Sequence, residues 1–385
     1  MDRATRDVYG TLGVRRVINA CGNMTLLGGS RLSPRVLAAM AAANDAFVDM
    51  AELLARSGEA IAAQLGAEAA VVTSGCFAGL VLGAAAIMTG ADPARIARLP
   101  ATDGMRDEFL IQAPTRYHYD RAVTVPGGRL VPVGDANGTT AAQLEAAIGP
   151  RTAGILYLAK AEGTSGVLPL ADVVAIARRA GIAVLVDAAA EVYPLDRMRW
   201  LAGGSGADLV CFGAKYFGAV NSAGVVCGTR QAVEAVIQNN FVAYESADTQ
   251  ALGRGYKVDR HEVIATVVAL EEWFALDHEA RLAQQERRLR AIAAALEGLA
   301  GVRAELVWEQ PSPWKRLVVR LDEARVGTTA AAVEAALREG EPSIRVRVED
   351  HALVLAAHTL DDGDVEIVGR RLRQVLAMGA GAAGA

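Results

Sequence analysis

The chain of 385 residues contains no lysine- or arginine-rich block, and its formal net charge is −5. A nucleic-acid partner needs a basic surface to neutralise phosphates, so no DNA or RNA, tRNA included, is expected as a main partner. Cysteine is scarce: Cys21, Cys76, Cys211 and Cys227 have no C-x-x-C spacing and lie in or beside apolar runs. That pattern favours buried, reduced thiols over a zinc site or disulfides. No metal site is expected. No uninterrupted apolar stretch is long enough to cross a bilayer, and Met1 to Arg6 hold no hydrophobic signal core. The expectation is a cytoplasmic protein without a membrane partner. No G-x-G-x-x-G follows the first predicted strand, so a Rossmann nucleotide binder lacks its fingerprint. Internal repeats are also missing.

What the chain does have is apolar residues, 52% of the total with mean hydropathy +0.24, many of them alanine. At this length one large and one smaller domain are expected. Residues 1–60 read as an N-terminal segment, with Val14–Asn19 as a short strand. Ser33 and Pro34 then cap a helix whose periodicity continues to about Leu65. From 61 to 260 strands and helices alternate at βαβ spacing. Strands are predicted at 69–73, 108–112, 129–133, 153–158, 182–187 and 208–212. Another at 223–227 returns antiparallel. Helices are predicted at 78–88, 140–148 and 170–180. The fold class is α/β: a mostly parallel seven-stranded sheet with helices on both faces. A long helical stretch at 261–300, broken near Asp277, leads to a small α+β domain at 301–378. That domain has strands at 303–308, 315–320, 343–348 and 352–356, and helices at about 328–338 and 364–377. Residues 379–385 form a low-complexity tail, expected to be frayed.

The chemistry concentrates at strand ends. Gly181–Asp187 is an apolar run ending in a carboxylate, and Ala207–Ala214 is a second, followed by Lys215. Such runs are buried parallel strands, and their carboxyl ends are where α/β proteins place ligands. An aspartate at one strand tip and a lysine just past the next is the pair that pyridoxal phosphate (PLP) requires. The lysine amine bonds the cofactor's aldehyde, and the carboxylate keeps the pyridine nitrogen protonated. A helix cap for Asp187 and a solvated Lys215 are the bland alternatives. The turn Thr73-Ser74-Gly75-Cys76 between strand and helix offers backbone N–H groups, the Ser74 hydroxyl and a close backbone approach at Gly75 to a phosphate. An ordinary helix cap would use the same residues. His118, in Tyr117-His118-Tyr119, could stack on the pyridine ring or simply pack. The loop Lys160–Gly166 could reach the cofactor's phenolic oxygen or the substrate, with Thr164 as the contact and Glu162 alternatively a solvated charge. For a substrate carboxylate the candidates are Arg254, Lys257 and Arg260 before the long helix, and Arg345 with Arg347, two apart on one expected strand face. The residues leave that choice open.

Five segments carry a resemblance: Val17–Ser30, Thr73–Gly75, Val186–Ala188, Asp208–Lys215 and Gly255–Asp259. Together they resemble one branch of the fold-type I PLP enzymes, which have the aspartate aminotransferase-like fold. This is the L-seryl-tRNA selenium transferase-like branch, which includes D-glucosaminate-6-phosphate ammonia-lyase. The likeness runs from about residue 8 to the end of the long helix. It implies Lys215 as the cofactor-bound lysine, Asp187 as partner of the pyridine nitrogen, Ser74 and Gly75 in the phosphate cup and His118 as the stacking residue. The turn Phe217–Ser222 departs from the Gly-Gly-Pro-Gln usual in the selenium transferases, which favours a small-molecule enzyme. The implied reaction is removal of an α-proton from a small amino acid or amino sugar acid by Lys215, then β-elimination and ammonia release. Racemisation, aldol cleavage, transamination and a non-catalytic PLP carrier use the same parts, and selenium transfer on seryl-tRNA stays among the alternatives. The resemblance also implies at least a homodimer.

Overall fold

Side-chain caps set the helix starts in the computed structural model, which describes residues 8–246, 249–309 and 314–382. Ser33 accepts the Val36 N–H at 3.1 Å, with Pro34 in the first turn, and starts the helix Pro34–Ala43. The helix does not continue to Leu65 as the periodicity implies. Asp49 accepts from the N–H groups of Ala51 and Glu52 at 2.8 and 3.0 Å and begins a second helix, Met50–Leu65. A carboxylate placed to cap orphan N–H groups outweighs apolar periodicity that would otherwise run through. The long helical stretch breaks in the same way. Arg260–Ala275 ends, and Asp277 caps His278–Ala295 through the Ala280 N–H at 2.9 Å.

The strands, in chain order, are β1 (Val17–Asn19), β2 (Ala69–Thr73), β3 (Glu108–Gln112), β4 (Arg129–Val133), β5 (Thr152–Leu158), β6 (Ala183–Asp187), β7 (Leu209–Gly213) and β8 (Gly224–Gly228). They are followed by β9 (Val302–Trp308), β10 (Lys315–Leu321), β11 (Ser343–Arg345), β12 (Arg347–Glu349) and β13 (Ala352–Leu355). Two compact units emerge, Ser30–Ala275 and a second made of Met1–Gly29 with Leu276–Ala385. The expected N-terminal segment ran to residue 60. Instead residues 8–29 cluster with the C-terminal part, and residues 30–60 belong to the large unit.

The large unit holds a seven-stranded sheet in the order β2-β8-β7-β6-β5-β3-β4. Pairing is parallel except along β8, which runs antiparallel to both β2 and β7. Every residue of β7 and β8 is buried, as expected for strands covered on both faces. The core under and over the sheet includes Phe109, Ile155, Leu185, Phe212 and the helix Gly75–Thr89. Register sets the site. Asp187 pairs with Cys211, Gly213 with Gly224, and Gly224 with Thr73. One sheet edge therefore gathers the ends of β2, β6 and β7 with the start of β8.

In the second unit β12-β13-β10-β9 form an antiparallel sheet, and β1 pairs in parallel with β11. The expected single strand 343–348 is in fact two. Val346, 5% exposed, turns into the core between them, so Arg345 lies on β11 and Arg347 on β12 and the expected shared strand face does not exist. Two carriers of the same apolar run pair with different partners, which local sequence cannot reveal. The last helix spans Asp362–Ala382, longer than the expected 364–377 and reaching into the low-complexity tail. Residues 383–385 of that tail lie outside the described residues. No helix among the described residues is long and apolar enough to cross a membrane.

Candidate active site

Asp187 ends β6 with 5% of its surface exposed. Its Oδ1 accepts the Ala189 N–H at 3.0 Å and faces the Cys76 thiol at 3.6 Å, while the Tyr117 hydroxyl donates to Oδ2. Burial pushes the carboxyl up from its ordinary range, against the downward pull of these three donors. Burial and the neighbouring Asp187 charge push the Tyr117 phenol far up, so it remains a donor.

Lys215 follows β7 in the turn Ala214–Phe217 and is half-buried. Burial lowers its amine's affinity for a proton. Its Nζ lies 5.2 Å from the Tyr216 ring centroid. Asp187 ends β6 and Lys215 follows β7, and these two strands pair in parallel, so the acid and the amine stand at the ends of adjacent strands.

The third element is the start of the helix Gly75–Thr89. Ser74 is its N-cap residue but makes no side-chain cap. Its Oγ is buried and has no hydrogen-bond partner among the described residues. A buried hydroxyl without a partner costs stability unless a ligand completes it. Beside it Gly75 has φ +88°, and Gly224 packs so closely that a Cβ there would stand 2.6 Å from the Cys76 amide nitrogen. Free N–H groups at a helix start, an orphan hydroxyl and a side-chain-free approach together suit a phosphate. The residues present fit PLP: an anion cup, a buried acid and a lysine of lowered proton affinity, all at one sheet edge.

Other sequence candidates stand elsewhere. His118 is exposed, edge-on to Tyr119 with centroids 5.1 Å apart. The structure brings Tyr117, not His118, to Asp187. Thr164 is exposed on its loop. Glu162 is no free loop charge: it accepts from the Tyr157 hydroxyl and from the Leu170 N–H at 3.2 Å, capping the helix Leu170–Ala180. Arg254 is paired with Glu245, and Lys257 is exposed. Arg260 donates to the Ala43 carbonyl at 3.1 Å and lies over the Phe47 ring. In the second unit Arg347 pairs with Glu349 at 3.1 Å. There His358 has its pKa lowered to about 4 by desolvation and then by the charges of Arg281, Arg347 and Arg316. Tyr117, Tyr216 and the side chain of Cys76 are the neighbours of the pair that sequence reasoning missed. The cluster Tyr117-His118-Tyr119 was the available signal, but it does not say which ring turns inward.

The chain matches no family model. It is 33% identical over 382 residues to the D-glucosaminate-6-phosphate ammonia lyase of Salmonella typhimurium, spanning 96% of this chain and 98% of that one. The solved structure of a D-glucosaminate-6-phosphate ammonia-lyase superimposes with TM-score 0.85 at 32% identity, covering 98% of this chain and all of the other. The chain belongs to the D-glucosaminate-6-phosphate ammonia lyase family. Members are PLP-dependent enzymes of fold-type I. A 5'-C-glycyluridine monooxygenase-decarboxylase of Streptomyces sp is a further relative, 34% identical over 96% of this chain and 92% of its own. An L-seryl-tRNA(Sec) selenium transferase of Moorella thermoacetica is 27% identical over 95% of this chain and 83% of its own. The family also shares its fold with an aspartate aminotransferase of Thermus thermophilus, TM-score 0.53 at 18% identity over 95% of this chain and 93% of that one.

Proposed function

We propose that this enzyme is a PLP-dependent ammonia lyase acting on a small amino acid or amino sugar acid. The observation that carries the reading is the meeting of Asp187, Lys215 and the unpartnered Ser74 hydroxyl at one sheet edge, in a chain related over its whole length to an ammonia lyase. When bound, PLP supplies an aldehyde for amine condensation and a protonated ring that accepts the electron pair released at the substrate α-carbon. In this reading Asp187, whose three donors favour its ionised form against the effect of burial, holds the proton at the ring nitrogen. Ser74 and the backbone N–H groups at Gly75 and Cys76 bind the phosphate. Lys215, held neutral more readily than an ordinary lysine, removes the proton at the α-carbon. The β-hydroxyl then leaves with a proton as water, and addition of water to the released enamine, as its imine, gives the 2-oxo acid and ammonia. His118, exposed beside Tyr119, remains a candidate for covering the ring, and Thr164 for the loop contact. Arg254 and Lys257 are proposed for the substrate's anionic groups.

The test is to load purified protein with PLP and offer D- and L-hydroxy amino acids and amino sugar acids, reading ammonia and 2-oxo acid. Lys215→Ala should lose both the yellow colour and turnover. Turnover retained in that variant would refute the assignment. A second reading rests on the 34% identical monooxygenase-decarboxylase. Oxygen uptake with carbon dioxide release, in place of ammonia, would favour it. We also propose a cytoplasmic homo-oligomer without nucleic-acid partners. Unpaired cysteines and the 93% exposed Phe47 support this, and sedimentation of the purified protein tests its assembly.

A further inference from the structure

Cys76 does two things from one position. Its amide sits in the first turn of the helix Gly75–Thr89, in the anion cup, while its side chain turns back onto the sheet edge. The Sγ atom lies 3.6 Å from Asp187 Oδ1 and 3.4 Å from the Cys211 carbonyl oxygen. A thiol carries one proton, so it can serve one of these acceptors fully. The Cys211 carbonyl already accepts the Ala188 N–H at 3.0 Å, and an ionised carboxylate is the stronger acceptor.

We propose that Cys76 is a positioning residue that donates its S–H to Asp187, ties the phosphate cup to the acid, and thereby helps keep the proton on the cofactor's ring nitrogen. The proposal rests on the PLP reading above. Other groups facing this carboxylate are Tyr117, which donates to the opposite oxygen, and Glu191, whose charge opposes ionisation. Lys215 and Cys211 lie within electrostatic reach of the thiol. Burial and the Asp187 charge hold that thiol well above its ordinary range, so it stays a donor and not a thiolate. A donor to the ionised form makes a carboxylate less basic. Removing it raises the basicity of Asp187 and draws the shared proton from the ring nitrogen toward the acid.

The experiment loads wild type, Cys76→Ala and Cys76→Ser with PLP labelled with ¹⁵N in the ring, and measures the ¹⁵N chemical shift and the cofactor Kd of each apoprotein. In Cys76→Ala the resonance should move toward the unprotonated position, and the Kd should rise about three- to tenfold, the range of one hydrogen bond. Cys76→Ser, which keeps a donor, should stay near wild type on both readouts. A folded Cys76→Ala with unchanged shift and Kd overturns the proposal. So does a folded Cys76→Ser displaced as far as Cys76→Ala, because the thiol would then act by packing alone. Asp187→Asn is the control, and its resonance should be unprotonated. Wild type that binds no PLP would overturn the underlying reading, and the thiol's role with it.

Discussion

At the scale of single residues, the site is a set of buried polar groups that the apoprotein does not fully satisfy. Ser74 shows this most directly. Its buried hydroxyl lacks a partner, so Ser74→Ala removes a desolvation cost from the apoprotein, of order 1 kcal/mol or more. The loaded protein loses a charge-assisted hydrogen bond of about 1.5–3 kcal/mol, or roughly 10- to 100-fold in cofactor Kd. Thermal unfolding of the apoprotein and a PLP titration should therefore move in opposite senses. Asp187, although its oxygens accept from Tyr117, Ala189 and Cys76, also bears a cost of burial. Its folded-state pKa is raised by burial, so its contribution to stability is largest below the unfolded carboxyl pKa of about 3.9 and is lost as pH rises through the folded value. Near neutral pH the buried charge is a cost. The Asp187→Asn apoprotein should have the higher Tm at pH 7, and the gap should close on acidification toward about pH 4. A variant that is less stable at pH 7 would mean that the donors at Tyr117, Ala189 and Cys76 outweigh burial.

At the scale of elements, the anion cup depends on how closely two backbones approach. The start of β8 presses on the first turn of the helix Gly75–Thr89, and Gly224 allows this because it has no side chain. Gly224→Ala would push a methyl against the Gly75 and Cys76 backbone, neither of which is a flexible side-chain end. The expected cost is about 1–3 kcal/mol of stability, with weaker binding of phosphate-bearing ligands measured by titration of inorganic phosphate and PLP. Equal affinity in a destabilised variant would show that the cup does not use this approach. Elements were also the scale at which local sequence was most legible. β3, β4 and the helix Leu170–Ala180 have the boundaries that their apolar runs imply. Asp277 breaks the long helical stretch where its capping chemistry implies. Short runs between strong punctuating residues leave the backbone few choices. The segment 343–348 did not, because its two halves pair with strands from opposite ends of the chain.

At the scale of the whole molecule, the two units have separate cores. Ile18, 9% exposed, belongs to the second of them and pairs with Ile344 across β1 and β11. A residue far from the C-terminal part in sequence thus holds that part together. Ile18→Ala should cost about 2–4 kcal/mol. Hydrogen exchange should rise in β11 and β13 while β6 and β7 keep their protection. Uniform loss of protection in both units would mean that they unfold as one.

The sequence by itself determined the alternation of strands and helices, and with it the placing of Asp187 and Lys215 at the ends of neighbouring strands. Both follow from apolar runs, caps and turns, which act over a few residues. Only the tertiary structure decided that Tyr117 turns toward Asp187 while His118 stays exposed, and that the Cys76 thiol reaches the carboxylate from another element. It also decided that β1 joins β11. Those outcomes depend on side-chain direction and on pairing between distant segments, and neither leaves a period or a spacing in the chain.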